Sequence, residues 1–385
     1  MNRDFKNMTI VFAGFFFMSL FYNTLAPFIT TIKMTYNVSN DIIALLPSMI
    51  FFASFIMSIL GSKIMYILGL KKSLYLGFSF AIISSFIIIV SRSFYLLLIG
   101  YFISGFTVGM GTLILSTILS LLSKKYQKFS LANAFVGLGG IISLPIDKFI
   151  LSRGILFNYT YIIHIVIIGI YFIYAAQLKG IQNDTDKASN GKSPFQLIKT
   201  PMILLLAIAI LVYEGTEIGT GNWTGRFLEN FYGLSKLEVP NVLICFWSLF
   251  TIGRFFGDKI LEKVGRLKFV IIAVIMSIFG IIIILSGKSI FNALIGFGIM
   301  GISMSLIYPA IQGYIIREVG KENVPAASSI ITVFNNFGAA FLTYCVGFLG
   351  GINITYVFLI QIVFFMYIGG VAIKYLFFKS KTKVS

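Results

Sequence analysis

Apolar residues run along this chain in long blocks, and the gaps between them hold nearly all of the polar and basic side chains. About 20 apolar residues in a helix cross the ~30 Å hydrocarbon slab of a bilayer. A helix also satisfies its own backbone hydrogen bonds where no water is present. The blocks predict spans at 8–32, 42–60, 74–90, 94–122, 131–151 and 157–176, then at 201–227, 242–261, 269–285, 290–315, 326–349 and 355–378. The stretch at 179–200 is rich in Asn, Asp, Ser, Gly and Lys and has the composition of a flexible cytoplasmic linker. The expected fold is an all-α polytopic membrane protein of twelve transmembrane helices, a six-helix half at 1–178 and another at 201–385.

Composition sharpens this reading. With 58% hydrophobic and 11% charged residues in 385, the chain lies outside the range of water-soluble domains. The net charge of +17 would suit a nucleic-acid partner only if the cations formed a surface, and they sit instead in the loops. Lys71 and Lys72, Lys124, Lys125 and Lys128, Lys259, Lys263, Arg266 and Lys268, and Arg317 and Lys321 fall on one side of the predicted spans. Lys33, Arg92, Arg153, Lys236 and Lys288 are scattered on the other. The positive-inside rule places the richer side, and with it both termini, in the cytoplasm of a cell that carries the chain in its plasma (inner) membrane.

Chemistry-bearing residues are few. Cys245, Cys345 and the single His164 all fall inside predicted spans, so neither a disulfide framework nor a metal or redox motif is expected. No triad, zinc site or phosphate loop has candidate residues, which argues against an enzyme, a metal or another cofactor and against an ATP-driven pump. A gradient would then supply the energy.

Two loops repeat. Gly61-Ser-Lys-Ile-Met-Tyr-Ile-Leu-Gly69-Leu-Lys-Lys follows the second predicted span, and Gly257-Asp-Lys-Ile-Leu-Glu-Lys-Val-Gly265-Arg-Leu-Lys follows the eighth, 196 residues on. Repetition at half the chain length implies two homologous halves, an arrangement that puts a substrate site at mid-membrane depth where they meet. These loops resemble the cytoplasmic signature loop of the major facilitator superfamily, with Tyr66 in place of the acid expected in the first copy. The resemblance implies a gate built from Gly61, Gly69, Arg254, Asp258, Gly265 and Arg266. Arg254 and Asp258, four apart, share one helix face and suggest an ion pair.

Span seven concentrates the polar chemistry, with Glu214, Glu217, Asn222, Trp223 and Arg226 in an otherwise apolar run. An ionisable residue at such depth costs roughly 2.5–3.5 kcal/mol and needs a cavity, a partner or a function. Glu214 and Glu217 lie on one face, and two carboxylates so placed in a low dielectric resist being charged together, as a proton carrier requires. Gly219, Gly221 and Asn222 are expected to interrupt the helix and turn Trp223 toward a bound solute. The order Gly215, Glu217, Gly221, Trp223 is similar to span seven of the fucose, galactose and glucose proton-symporter branch of the superfamily. The segments 133–145 and 296–309 are similar to its spans five and ten. Spans one and four lack the acids that fucose-type members use for coupling.

A sugar site needs amides and hydroxyls beside an aromatic face. Asn23, Glu217, Asn222, Trp223, Tyr308, Gln312, Asn335 and Asn336 are the candidates for binding solute, and Glu214 and Glu217 for proton coupling. The expected activity is proton-coupled transport of a small polar solute, a sugar or related metabolite, by a monomer in the lipid bilayer that uses protons or another coupling ion. A proton-driven exporter of drugs or metabolites and a non-transporting membrane receptor are the alternatives. Polar amides favour the first, and Leu144 before Pro145 departs from the Gly-Pro pair expected of the drug-antiporter branch.

Overall fold

The structure is a computed structural model that describes residues 2–38, 40–43, 45–180, 191–234 and 238–381. Residues 181–190 of the expected linker, and Lys236, lie outside the described residues. No β-strand occurs among the residues described. The first long helices are Arg3–Asn23 and Leu25–Tyr36, then Leu45–Leu68, Leu70–Val90, Phe94–Leu121, Phe129–Ser152 and Thr160–Ala175. The later ones are Pro201–Phe227, Val239–Val264, Arg266–Ser286, Ile290–Met304 with Ile307–Glu318, Val324–Phe337 with Thr343–Ile352, and Tyr356–Lys381. Each expected span has a helical counterpart. Eleven stretches among the described residues are long and apolar enough to cross a membrane. The eighth span, Val239–Val264, is not one of these eleven, yet its 26 residues give a length of about 39 Å, enough to cross.

Among the described residues, spans one, ten and eleven are interrupted along their length. Span one breaks at Thr24, ahead of Pro27, and span eleven passes through a π turn at Gly338–Leu342. Span ten stops at Met304 and resumes at Ile307. Its cause is Pro309, which has no N–H to give to the carbonyl four residues back, that of Ser305. Span seven behaves otherwise. The helix Pro201–Phe227 continues through Gly219, Gly221 and Asn222, so the interruption expected there does not occur. Intact i→i−4 bonding keeps this segment helical, since a lone glycine costs a helix only about 1 kcal/mol.

By proximity of their residues the helices fall into two compact units. The first comprises 1–128, 135–194 and 319–333, and the second 129–134, 195–318 and 334–385. Inside the first, Gly105 lies against the Ile50 carbonyl and Gly109 against that of Ser54, so the helices of spans two and four touch backbone to backbone. Gly100 lies against Ile88, and Ser84 donates to the Gly100 carbonyl at 2.8 Å. Inside the second unit the same pattern recurs 196 residues on. There Gly301 lies against the Phe246 carbonyl, Gly296 against Ile284, and Gly280 against the Gly296 carbonyl. The repeat seen in two loops therefore extends to the close contacts between helices. Gly69 and Gly265, also 196 apart, adopt positive φ of 76° and 91° at the junctions between spans two and three and between spans eight and nine. A side chain there would be strained.

A side chain at Gly105 or Gly301 has no room unless its helices part. Replacing either by Leu should lower the thermal unfolding midpoint of detergent-purified protein, with a cost of about 1–3 kcal/mol from overpacking. The exposed Gly370, with open space around it, should tolerate Leu with little change. Equal midpoints for all three variants would show that these contacts do not hold the helices.

Candidate functional site

The polar residues of the second unit gather on spans seven, eight, ten and eleven. Glu217 is buried, and the Nη2 of Arg254 from span eight donates to both of its carboxylate oxygens at 3.2 Å. The two side chains are only 10% and 11% exposed. Arg254 is held from three directions. Its guanidinium lies 4.1 Å above the Phe250 ring, and its Nε donates at 3.4 Å to the Ser305 carbonyl, the same carbonyl that Pro309 leaves without a helical donor. Gly253 lies against Ser305, which lets span eight come this close to the break in span ten.

Tyr213, fully buried on span seven, donates to the Met304 carbonyl at 2.8 Å, on the other side of that break. Its ring stacks with that of Tyr308, centroids 6.4 Å apart. One residue from Tyr213, Glu214 accepts a hydrogen bond of 2.5 Å from Nδ2 of Asn335 on span eleven. Gly338 lies against the Leu211 carbonyl, so spans seven and eleven meet closely just beyond this bond. On the next turns of span seven Thr220 reaches Oε1 of Gln361 at 3.3 Å. The cluster of Glu214, Glu217 and Arg254 thus has two acids and one base, linked through Arg254 and Tyr213 to the broken segment of span ten.

The sequence profile of the Major Facilitator Superfamily matches residues 11–285 and 227–385. The chain is a member of the major facilitator superfamily. Among curated relatives, the putative glucose/galactose transporter of Helicobacter pylori strain 26695 is 22% identical over 187 residues, 48% of this chain and 44% of that protein. The chain spans less than half the length of the curated relatives it matches. Among solved structures, FucP in its outward conformation aligns at a TM-score of 0.82 with 18% identity, covering 95% of this chain and 97% of that one. FucP is the fucose:proton symporter of E. coli. A human organic anion transporter aligns at 0.76 with 13% identity, over 97% and 100% of the two chains. At such identities these likenesses establish a shared fold. The chain is an integral, multi-pass membrane protein of this transporter family, resembling its fucose and glucose branch.

Of the residues singled out in this superfamily member's sequence, Glu214, Glu217, Tyr308, Asn335 and Arg254 come together. Gln312 follows Tyr308 by one helical turn and is buried, its Oε1 without a partner. Asn336 is buried beside Asn335. Others lie apart. Asn23 belongs to the first unit and donates within its own helix to Ser19, at 2.8 Å to the carbonyl and 3.0 Å to the hydroxyl. Asn222 is exposed. Trp223 packs its indole on Gly347 and Gly350 of span eleven, with the Arg226 guanidinium 5.8 Å from its ring. Since the helix does not unwind at Gly221, nothing turns this ring as expected.

Arg254 and Asp258 each find a partner other than the one their spacing suggests. Asp258 accepts from the backbone N–H groups of Ser130 at 3.3 Å and Leu131 at 2.9 Å, at the start of helix Phe129–Ser152. That carboxylate complements the partial positive charge of a helix N-terminus. Gly257 lies against Ser130 and Leu306, Gly61 against Leu113, and Arg266 against Gly313. Tyr213, Phe250, Ser305 and Gln361 escaped the sequence reading. Only Pro309 hinted at the Ser305 carbonyl, and the partner for it was invisible.

A buried charge left alone is costlier than a pair removed whole. Glu217→Ala strands the Arg254 guanidinium and should destabilise the protein by about 3–5 kcal/mol. The double variant Glu217→Leu with Arg254→Met should recover most of the loss in the same thermal unfolding assay. A double variant no better than the single would mean that the pair is not an isolated buried couple.

Proposed function

We propose that this chain is a secondary active transporter that couples movement of a small polar solute, a sugar or related metabolite, to protons by alternating access. The observation that carries this reading is the charge balance of Glu214, Glu217 and Arg254, two acids against one base within the apolar part of the second unit. One proton brings the cluster to neutrality. In surroundings where a net charge is costly, the cluster is stable either with a proton bound or with water admitted to it, and this exclusivity is what coupling needs.

The break in span ten gives protonation a mechanical output. Arg254 bridges Glu217 and the free Ser305 carbonyl. A proton taken up by the Glu214 and Glu217 pair lowers the negative charge that Arg254 balances and so weakens the carboxylate end of that bridge relative to the carbonyl and the Phe250 ring. The two arrangements favour different geometries of the Met304–Ile307 junction, so a proton shifts the population between them. Asn335, Tyr308 and the free acceptor of Gln312 are suited to replace the water that a sugar hydroxyl gives up. Asn336, Trp223, Asn222 and Asn23 are further candidates for solute contact, at greater remove. The likeness to a putative glucose/galactose transporter and to the fold of a fucose:proton symporter supports a solute of this class.

We assign the halves to 1–178 and 201–385, joined by a cytoplasmic linker, in a monomer of the plasma (inner) membrane with both termini in the cytoplasm. Gly61, Gly69, Gly265, Arg266 and Asp258 form the gate in this reading, supported by the two positive-φ glycines and by the hold of Asp258 on the start of span five.

The experiment is uptake in proteoliposomes under an imposed pH gradient, with solutes chosen by a thermal-shift screen of sugars, nucleosides, amino acids and amphipathic drugs. Ligand binding to the folded state raises the apparent midpoint by mass action. Glu217→Gln should abolish concentrative uptake while leaving solute exchange measurable. Concentrative uptake unchanged by Glu217→Gln would remove this residue from coupling. Efflux of amphipathic compounds driven by inward proton flow would favour an exporter.

A further inference from the structure

Span five holds a carboxylate that the cluster of the second unit does not use. Asp147 lies in helix Phe129–Ser152, two residues beyond Pro145, and is completely buried within the first unit. Neither of its oxygens has a hydrogen-bond partner. The contrast with Glu217 is sharp, because Glu217 has Arg254. An ionised carboxylate without a counter-ion or donor, in apolar surroundings, is far too costly to persist.

Buried polar groups of the same unit come from three other spans. Span four contributes Tyr101 and span six Tyr161. Their hydroxyls are 2.8 Å apart, and both lie within electrostatic reach of the Asp147 carboxyl. Tyr36 of span one donates to the Ser91 carbonyl at 3.1 Å. His164, three residues beyond Tyr161, is buried and bonds through Nε2 to Thr24 at 2.9 Å, at the break in span one. The Phe21 ring lies edge-on to both Tyr161 and His164. Along the helix from Asp147, Arg153 is exposed, its guanidinium over the Phe149 ring. Among the described residues no group of three or more His, Cys, Asp or Glu is placed to hold a metal ion. Two hydroxyls in one hydrogen bond use a single proton as donor, so the other remains to be given to a third oxygen.

We propose that Asp147 is a proton-binding site of the first unit, distinct from the Glu214, Glu217 and Arg254 cluster. Uptake adds one proton to a carboxylate oxygen, and release returns it to water when a conformational change opens the site. Nothing is oxidised or reduced. Internal repetition supports a separate site. The positions related by 196 residues to Glu214, Glu217 and Arg254 are Met18, Phe21 and Ser58, and the position related to Asp147 is Thr343. Each half has its own acid at a place where the other half has none.

The test needs no solute, so its outcome is separable from that of the transport reading. Infrared difference spectra of the purified full-length protein in lipid nanodiscs, recorded between acidic and alkaline sodium-free buffers, report protonated carboxyl groups directly. The parent should lose a protonated-carboxyl band on going to alkaline buffer. Asp147→Asn should lack that component and keep those of the glutamates, and Asp147→Glu should restore one at a shifted frequency. Should Asp147→Asn fail to fold, carbon-13 labelling of the six aspartates in the parent should shift the band, and the shift should persist in Asp258→Asn. Identical spectra for parent and Asp147→Asn, or no isotope shift, would overturn the proposal. A thermal stabilisation by sodium that Asp147→Asn abolishes would overturn it too, since the site would then hold a metal cation.

Discussion

Charge in a medium that cannot solvate it is the constraint on which the second unit depends. Arg254 answers it with one guanidinium shared among the Glu217 carboxylate, the Ser305 carbonyl and the face of Phe250. Taken singly, each contact is ordinary, and an exposed pair of this kind would contribute little. Burial changes the balance, because losing any one partner leaves a charge with nothing to replace water. Spans seven, eight and ten are therefore fixed relative to one another at this point more firmly than by apolar packing, which lipid tails satisfy nearly as well as neighbouring helices do.

The breaks in the helices gain their meaning from the same constraint. A proline inside a span leaves a carbonyl without a helical donor, and in hydrocarbon such an orphan is tolerated only where another group reaches it. Pro309 leaves the Ser305 carbonyl free, and Arg254 reaches it. The glycine contacts let these groups approach. Gly253 against Ser305 and Gly338 against the Leu211 carbonyl bring backbones together where side chains would keep them apart. Elsewhere the same device recurs without polar consequence, as in the paired contacts at Gly105 and Gly301.

The two units share their scaffold and differ in chemistry. Close contacts repeat at the 196-residue interval, yet the acids and the base of the second unit are replaced by Met18, Phe21 and Ser58 in the first. The charged groups therefore differ between the units while the paired contacts at Gly105 and Gly301 and at Gly100 and Gly296 are kept.

The sequence by itself determined the class of fold, the position of the spans and the duplication, because block length and loop charge respond to the bilayer and not to any partner in the fold. It also pointed to Glu214, Glu217, Tyr308 and Asn335, since polar residues within apolar blocks stand out without knowledge of neighbours. Which of these meet was another matter. The spacing of Arg254 and Asp258 suggested a pair on one helix, whereas the tertiary structure gave Arg254 to Glu217, 37 positions away, and Asp258 to the backbone at the start of span five. The glycines and Asn222 of span seven suggested an unwound segment, and the helix held because its own hydrogen bonds outweigh the modest cost of glycine. Asp147 passed unnoticed, since a single acid near the end of an apolar block is indistinguishable in sequence from one that reaches water. Its burial, and the absence of a partner, are properties of the helices around it.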